Sequence, residues 1–89
     1  MKYAVRVYYN GTVQGIFFRQ FIKQNADRLT VKGFARNLED GRVEAWFEGD
    51  AENVRQMIEI CRTGHRNAKV TGFEIKEEKF QGLTDFKVL

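Results

Sequence analysis

The fold is decided around Gly11-Thr12-Val13-Gln14-Gly15-Ile16-Phe17-Phe18-Arg19, because the hydrophobic pattern changes across this stretch. Before it, residues 3–9 alternate with a period of two, which is typical of a strand. After it, apolar residues recur at helical spacing. A strand that turns through glycines into a helix start gathers backbone N–H groups at the positive end of the helix dipole. Arg19 follows in the first helical turn, where its guanidinium fork could close on two phosphoryl oxygens. We therefore expect this stretch to bind a phosphoryl group.

Length and composition exclude several classes of protein. At 89 residues the chain has the size of one small domain, so we expect a single domain over residues 1–89. The sole cysteine, Cys61, excludes an intramolecular disulfide and any cysteine-based metal cluster. The formal charge of +3 suits an anionic ligand but lacks the dense Lys/Arg blocks of a nucleic-acid tail. No signal-peptide pattern and no membrane-spanning apolar run are present. We expect a cytoplasmic monomer without nucleic-acid or membrane partners.

Outward from the opening stretch, the elements follow the order βαββαβ. We expect strands at residues 3–9, 33–38, 42–48 and 68–75, with residues 86–89 as a candidate fifth strand at the sheet edge. Helices are expected from Phe18 to residue 29, and from an N-cap at Asp50 to a stop at Gly64. This order predicts a ferredoxin-like α+β fold, an antiparallel sheet with two helices on one face. The face that carries Glu44, Trp46 and Glu48 is expected to be solvated.

Few side chains suggest catalytic chemistry. Asn37 precedes the hairpin turn at residues 39–41, where Asn is common as a turn residue, but its carboxamide could also hold a water molecule in place. Gln14 is expected to pack or to hydrogen-bond locally, without a catalytic role. His65 is expected in a surface loop and Cys61 in the core. No carboxylate pair is expected in a cleft, and no Gly-Lys-Ser/Thr follows the glycines, so the stretch is not a P-loop.

Two motifs carry a resemblance to a known family. The pattern Gly11-x-Val13-Gln14-Gly15-Ile16-x-Phe18-Arg19 resembles the first signature of the acylphosphatases. The pattern Gly33-Phe34-Ala35-Arg36-Asn37-x-x-x-Gly41-x-Val43, with Gly49 six residues beyond, is similar to their second. The resemblance implies a hydrolase without metal or cofactor, which cleaves acyl phosphates to a carboxylate and inorganic phosphate. It also implies that Arg19 binds the phosphoryl group and that Asn37 positions the attacking water. The implied backbone cradle comprises Gly11, Thr12, Val13, Gln14, Gly15 and Ile16.

The chain departs from the family pattern at two places. Gly64-His65-Arg66 stands where many members have Gly-Pro-Pro, which concerns a loop after the second helix. Phe17 stands where many members have a small residue. The phosphate contacts are expected to survive this change, because they are made by the backbone.

Three alternatives stay open at this point. An RNA-recognition module shares the element order, and Lys32-Gly33-Phe34-Ala35 begins like its RNP1 motif, but Arg36 and Asn37 then depart from it. That alternative would use Tyr8 and Trp46 to stack bases on the open sheet face. A regulatory domain of the same fold would bind an anion without turnover. An acylphosphatase-like module could also belong to a larger protein that handles carbamoyl phosphate, although the chain as given is expected to have no room for the companion domains.

Overall fold

The computed structural model describes residues 1–89, which form a five-stranded sheet with two helices packed on one face. The elements are β1 (Lys2–Thr12), α1 (Phe18–Arg28), β2 (Lys32–Asn37), β3 (Val43–Asp50), α2 (Ala51–Thr63), β4 (Lys69–Glu78) and β5 (Phe86–Val88). The strands lie in the order β4-β1-β3-β2-β5. The ferredoxin-like α+β prediction is confirmed, and the fifth strand is present. Neither α1 nor α2 has the length and apolar character of a membrane-spanning helix.

The sheet is mixed: the four longer strands pair antiparallel as predicted, and the fifth strand, for which no direction was predicted, joins one edge in parallel. β5 runs parallel to β2, with Gly33 opposite Phe86 and Ala35 opposite Val88. The other pairs, β1–β3, β1–β4 and β2–β3, are antiparallel. β4 therefore runs opposite to β2. The chain leaves β4 and crosses one end of the sheet to its other edge, so β5 must run opposite to β4 and parallel to β2.

The core lies between the sheet and the helices. Alternate residues of β1 and β3 point into it, and the apolar stripes of both helices close it. Its members on β1, β3, α1 and α2 include Val5, Val7, Tyr9, Val43, Ala45, Phe47, Phe18, Ile22, Ala26, Val54, Met57, Ile58 and Cys61. Cys61 is buried as predicted, and burial raises the pKa of its thiol. Tyr9 satisfies its buried hydroxyl by donating to the main-chain oxygen of Ile58 at 3.1 Å.

Both predicted ends of α2 are found, but neither is capped as expected. Asp50 occupies the N-cap position, yet its side chain makes no cap hydrogen bond. The first helical N–H, that of Ala51, instead donates to the main-chain oxygen of Met1 at 2.8 Å. Gly64 ends the helix in a right-handed conformation with φ −91°. The turn is therefore not of the left-handed type that favours glycine.

The end of β1 is shaped by Gly11. The register between β1 and β4 shifts between Asn10 and Gly11. Gly11 has φ +122°, and a Cβ built on it would lie 2.0 Å from the main-chain oxygen of Lys69. Only glycine fits such a close approach of two strands. This irregularity directs the chain out of the sheet and into the loop that precedes α1.

The sheet face opposite the helices holds a buried carboxylate, contrary to the prediction of a solvated face. Glu44 is only 2% exposed. Its carboxylate accepts hydrogen bonds from Arg6 Nη1 at 2.6 Å and from Arg36 Nε. Arg6 also donates to Glu78 at 3.0 Å. The arginines and glutamates on this face thus form ion pairs with each other, and this pairing allows a carboxylate to be buried.

The same face buries the tryptophan that the RNA-recognition alternative required. Trp46 is 7% exposed and stacks on Phe34 with ring centroids 6.3 Å apart. Its indole N–H donates to Glu48 at 3.0 Å. Glu48 also accepts main-chain hydrogen bonds from Gln81 and Leu83, so the segment after β4 covers it. Trp46 is therefore not placed to stack on a base.

Replacement of the buried acid tests this network. We expect Glu44→Gln to lower the free energy of unfolding by about 2 kcal/mol at pH 7, because two arginines lose their shared carboxylate. Glu74→Gln is the control, since Glu74 is exposed and lies 3.9 Å from Lys76; its effect should stay under about 0.5 kcal/mol. Urea unfolding followed by circular dichroism measures both.

The difference in the free energy of unfolding between wild type and Glu44→Gln should also depend on pH. Burial raises the pKa of Glu44, but the hydrogen bonds from Arg6 and Arg36 outweigh it and bring the pKa below its ordinary value of 4.5. A carboxyl group whose pKa is lowered on folding stabilises the folded state at pH values above its ordinary pKa. This stabilisation is lost as the pH falls through the lowered pKa of the folded state. The difference should therefore shrink below about pH 4.5. A difference that stayed constant down to about pH 3 would contradict this account of the site.

Candidate active site

The loop between β1 and α1 has a backbone conformation suited to binding an anion. Val13 is buried and anchors the loop to the core. Gly15 has φ +75° and Phe17 has φ 62° and ψ 26°, whereas the φ of Gln14 and of Ile16 is not positive. Left-handed residues that alternate with ordinary ones turn successive N–H groups to one side of the chain. For a phenylalanine this conformation costs on the order of 1–3 kcal/mol, so the surrounding loop must hold it.

The N–H groups of this loop and of the first turn of α1 are unpaired within the protein. No main-chain N–H from Gln14 to Gln20 donates to a protein acceptor. α1 has no side-chain cap and no acidic residue in its first turn. A helix end normally meets these needs with a capping side chain or an anion. The positive end of α1 is thus able to hold a negatively charged group.

Arg19 is held in place from the far end of the sequence. Its Nη1 donates to the main-chain oxygen of Leu89. The N–H of Leu89 in turn donates to Ala35 of β2 at 2.9 Å. Lys23, one turn later on α1, donates to the main-chain oxygen of Phe86 at 2.9 Å. Residues 86–89 therefore connect the helix that carries Arg19 to the strand that ends at Asn37.

Asn37 is the last residue of β2 and is exposed to solvent. Its side chain makes no hydrogen bond to another protein group, so its carboxamide is available to a ligand or to water. The neighbouring hairpin is fixed to the anion-binding loop by Gln14. The Gln14 side chain donates to the main-chain oxygens of Leu38 at 2.8 Å and Arg42 at 3.0 Å. Gln14 was expected to pack or to hydrogen-bond locally, but its partners lie 24 and 28 residues away in the chain. These hydrogen bonds position the loop relative to Asn37.

A cleft of about 190 Å³ brings the loop, the helix start and the end of β2 together. Its lining residues are Val13, Gly15, Phe17, Phe18, Arg19, Gln20 and Asn37. The two residues implied to be catalytic, Arg19 and Asn37, therefore face one space although they lie 18 positions apart in the sequence.

Other residues of the implied cradle do not line the cleft. Gly11 and Thr12 belong to β1, where they pair with Val70 and Lys69 of β4. Gln14 reaches the hairpin, and Ile16 packs against the core. The side chains of these residues shape the loop from outside the cleft, whereas the main-chain N–H groups of Gln14 and Ile16 stay unpaired at its edge.

The sequence motifs missed part of the lining. Phe18 was expected only as a core residue, and Gln20 was not singled out. Their position beside Arg19 in the first turn of a helix was the available signal, because the residues of one helix end surround the same point. Leu89 gave no local signal, since its contact with Arg19 spans 70 residues.

The other candidate side chains lie away from the cleft. His65 packs edge-on against Phe21 and Phe18, with ring centroids 5.0 and 5.8 Å apart. The loop that departs from the family pattern at Gly64-His65-Arg66 thus rests on α1. No three His, Cys, Asp or Glu side chains lie close enough to hold a metal ion. The cleft therefore offers N–H donors, a guanidinium and a carboxamide, and no carboxylate or imidazole lines it.

Sequence comparisons with known proteins agree on one family. The family model described as Acylphosphatase matches residues 5–88. The acylphosphatase of Rubrobacter xylanophilus is 50% identical over 78 residues, which cover 88% of this chain and 71% of the relative. The acylphosphatase of Syntrophobacter fumaroxidans is 46% identical over 81 residues, covering 91% of this chain and 84% of the relative. The crystal structure of acylphosphatase from Bacillus subtilis superposes with a TM-score of 0.93 at 31% identity, covering 100% of this chain and 99% of that one.

Proposed function

The chain belongs to the acylphosphatase family, and we propose that its cleft hydrolyses acyl phosphates by means of Arg19, the unpaired loop N–H groups and Asn37. The observation that carries this assignment is their convergence on one cleft. A group that binds a phosphoryl oxygen and a group that can hold water are thereby placed around the same space. A domain that only bound an anion would not need the second group.

The phosphoryl group is held by charge and by hydrogen bonds. The N–H groups between Gln14 and Gln20 donate to its oxygens, and the dipole of α1 adds a favourable field. Arg19 donates from the side with its planar fork. These donors are fixed before substrate arrives, so little reorganisation is needed as negative charge shifts in the transition state.

Water attacks from the side on which Asn37 lies. The Asn37 carboxamide oxygen accepts one proton of the water, which turns an oxygen lone pair towards phosphorus. A bond forms between the water oxygen and phosphorus, and the bond from phosphorus to the acyl oxygen breaks. The carboxylate leaves with that electron pair, and a water proton passes to a phosphoryl oxygen. The products are a carboxylate and inorganic phosphate.

This reaction needs little acid–base help from the protein. A carboxylate is a good leaving group, so positioning and charge stabilisation supply most of the catalysis. Arg19 is the one ionisable side chain that lines the cleft, so the substrate itself takes the proton.

We extend the proposal to the state in which the protein acts. All the residues that line the cleft come from one chain, and the chain is built around a single sheet. A single-domain monomer would therefore be sufficient to form the site. We propose that it acts in the cytoplasm on a small acyl phosphate, without nucleic acid or membrane. The free, buried Cys61 suits that compartment.

The direct test is hydrolysis of benzoyl phosphate by the purified chain with and without excess EDTA. We expect turnover on the order of 10–1,000 per second, unchanged by the chelator, because no step relies on a metal ion. The decrease in the ultraviolet absorbance of benzoyl phosphate measures the rate of hydrolysis. A chain without turnover would refute the proposed function. Activity that was lost in EDTA and restored by added metal would refute the mechanism.

A further inference from the structure

Phe17 is an exposed aromatic residue at the cleft that pairs with no other aromatic ring and no cation. Its side chain is 78% exposed, and none of the aromatic pairs or cation–π contacts in the protein includes it. It nevertheless occupies a left-handed backbone position with φ 62°. Glycine or asparagine would adopt that conformation with less strain. The ring therefore contributes neither to the core nor to the backbone geometry of the loop.

Phe17 is also the cleft's one exposed apolar side chain. The other two apolar lining residues, Val13 and Phe18, are each about 1% exposed and belong to the core. The remaining lining residues are a glycine or polar. An organic group that projected from the bound phosphoryl group would thus find its apolar contact on the ring of Phe17.

We infer that Phe17 is a specificity-determining residue that contacts the acyl group and favours aromatic or bulky apolar acyl phosphates over acetyl phosphate. The inference rests on the proposed function. In an in-line displacement the leaving acyl group lies opposite the attacking water, hence on the side of the phosphoryl group away from Asn37. Phe17 lines the same cleft as Asn37, and an aromatic acyl group that covers its ring gains both apolar burial and aromatic contact.

The test compares kcat/KM for benzoyl phosphate with kcat/KM for acetyl phosphate. In Phe17→Asn the ratio of the two should fall about fivefold relative to wild type. Asparagine is chosen because it tolerates the left-handed conformation, so the loop should keep its shape. Phe17→Tyr should retain the wild-type ratio within about twofold, because the ring is kept. Ile75→Asn is the control: it removes an exposed apolar side chain from β4, away from the cleft, and should leave the ratio unchanged.

A binding measurement separates this inference from the proposed function. Calorimetry should show that wild type binds benzylphosphonate about fivefold more tightly than methylphosphonate, and that Phe17→Asn loses this preference. An unchanged benzoyl-to-acetyl ratio in a variant that still turns over both substrates would overturn the role of Phe17 and leave the proposed function intact. Absence of turnover with either substrate would overturn the proposed function, and the phosphonate affinities would then decide whether the ring contacts the organic group.

Discussion

Arg19→Ala is expected to lower kcat/KM for benzoyl phosphate by about 100- to 1,000-fold, which corresponds to roughly 3–4 kcal/mol of lost transition-state stabilisation. The guanidinium is the one charged side chain that lines the cleft. Arg19→Lys should recover only part of the loss, because an ammonium keeps the charge but not the planar fork. Steady-state kinetics with benzoyl phosphate measure all three proteins.

Two controls separate catalysis from folding. Arg28→Ala removes an exposed arginine from the last turn of the same helix, where its partner is Asn25, and should leave kcat/KM unchanged. Thermal unfolding of Arg19→Ala reports how much stability is lost with the hydrogen bond to Leu89. Hydrolysis by Arg19→Ala at near wild-type rates would remove Arg19 from the mechanism.

Asn37→Ala is expected to lower kcat by about 100-fold while inhibition by inorganic phosphate changes less than about threefold. The physical reason is that the carboxamide holds the water and not the phosphoryl group. Loss of the side chain leaves the donors of the loop and of Arg19 in place. The hydrogen bonds of Gln14 to the hairpin should also persist, because they use main-chain oxygens of other residues.

Asn67→Ala is the matched control, since Asn67 is an exposed loop asparagine remote from the cleft. Its kcat and phosphate inhibition should equal those of wild type. If phosphate affinity collapsed in Asn37→Ala, the residue would be a phosphate ligand, and the assignment of water positioning to it would fail.

The sequence was sufficient to predict the fold class because its local signals agree. Strict alternation at residues 3–9, helical spacing after Phe18 and the Asp40-Gly41 turn each indicate one element without reference to distant residues. The fifth strand was also predictable from the sequence, since Phe86 and Val88 alternate with polar residues. Its parallel direction was not, because direction depends on the edge to which the chain returns.

The outer sheet face shows why local patterns fail. Glu44 and Glu48 alternate with apolar residues and therefore have the sequence pattern of a solvated face. Their partners are remote: Arg6 lies 38 positions from Glu44, and Leu83 lies 35 from Glu48. Non-local pairing changed the burial of these acids, and a periodicity argument contains no information about it.

The two side chains of the candidate site could be identified from the sequence, whereas the hydrogen bonds that position them could not. The two motifs contain Arg19 and Asn37, and the structure places both side chains at one cleft. The tie from Arg19 to Leu89 and the tie from Gln14 to the hairpin join segments far apart in the chain. Gly11 is a related case, because a Cβ at this position would clash with the main-chain oxygen of Lys69 on another strand.

The hydrogen bond between Arg19 and Leu89 has a consequence for affinity that concerns entropy. An arginine side chain carries about 2 kcal/mol of rotamer freedom, and a binding partner that immobilises it must offset that loss. Here one of its five N–H donors is already engaged by Leu89, the residue that follows β5, so much of the freedom is lost on folding, and the remaining donors stay available. The residue that follows the shortest strand of the sheet thus favours phosphate binding without touching phosphate, by reducing the disorder that binding would otherwise have to remove.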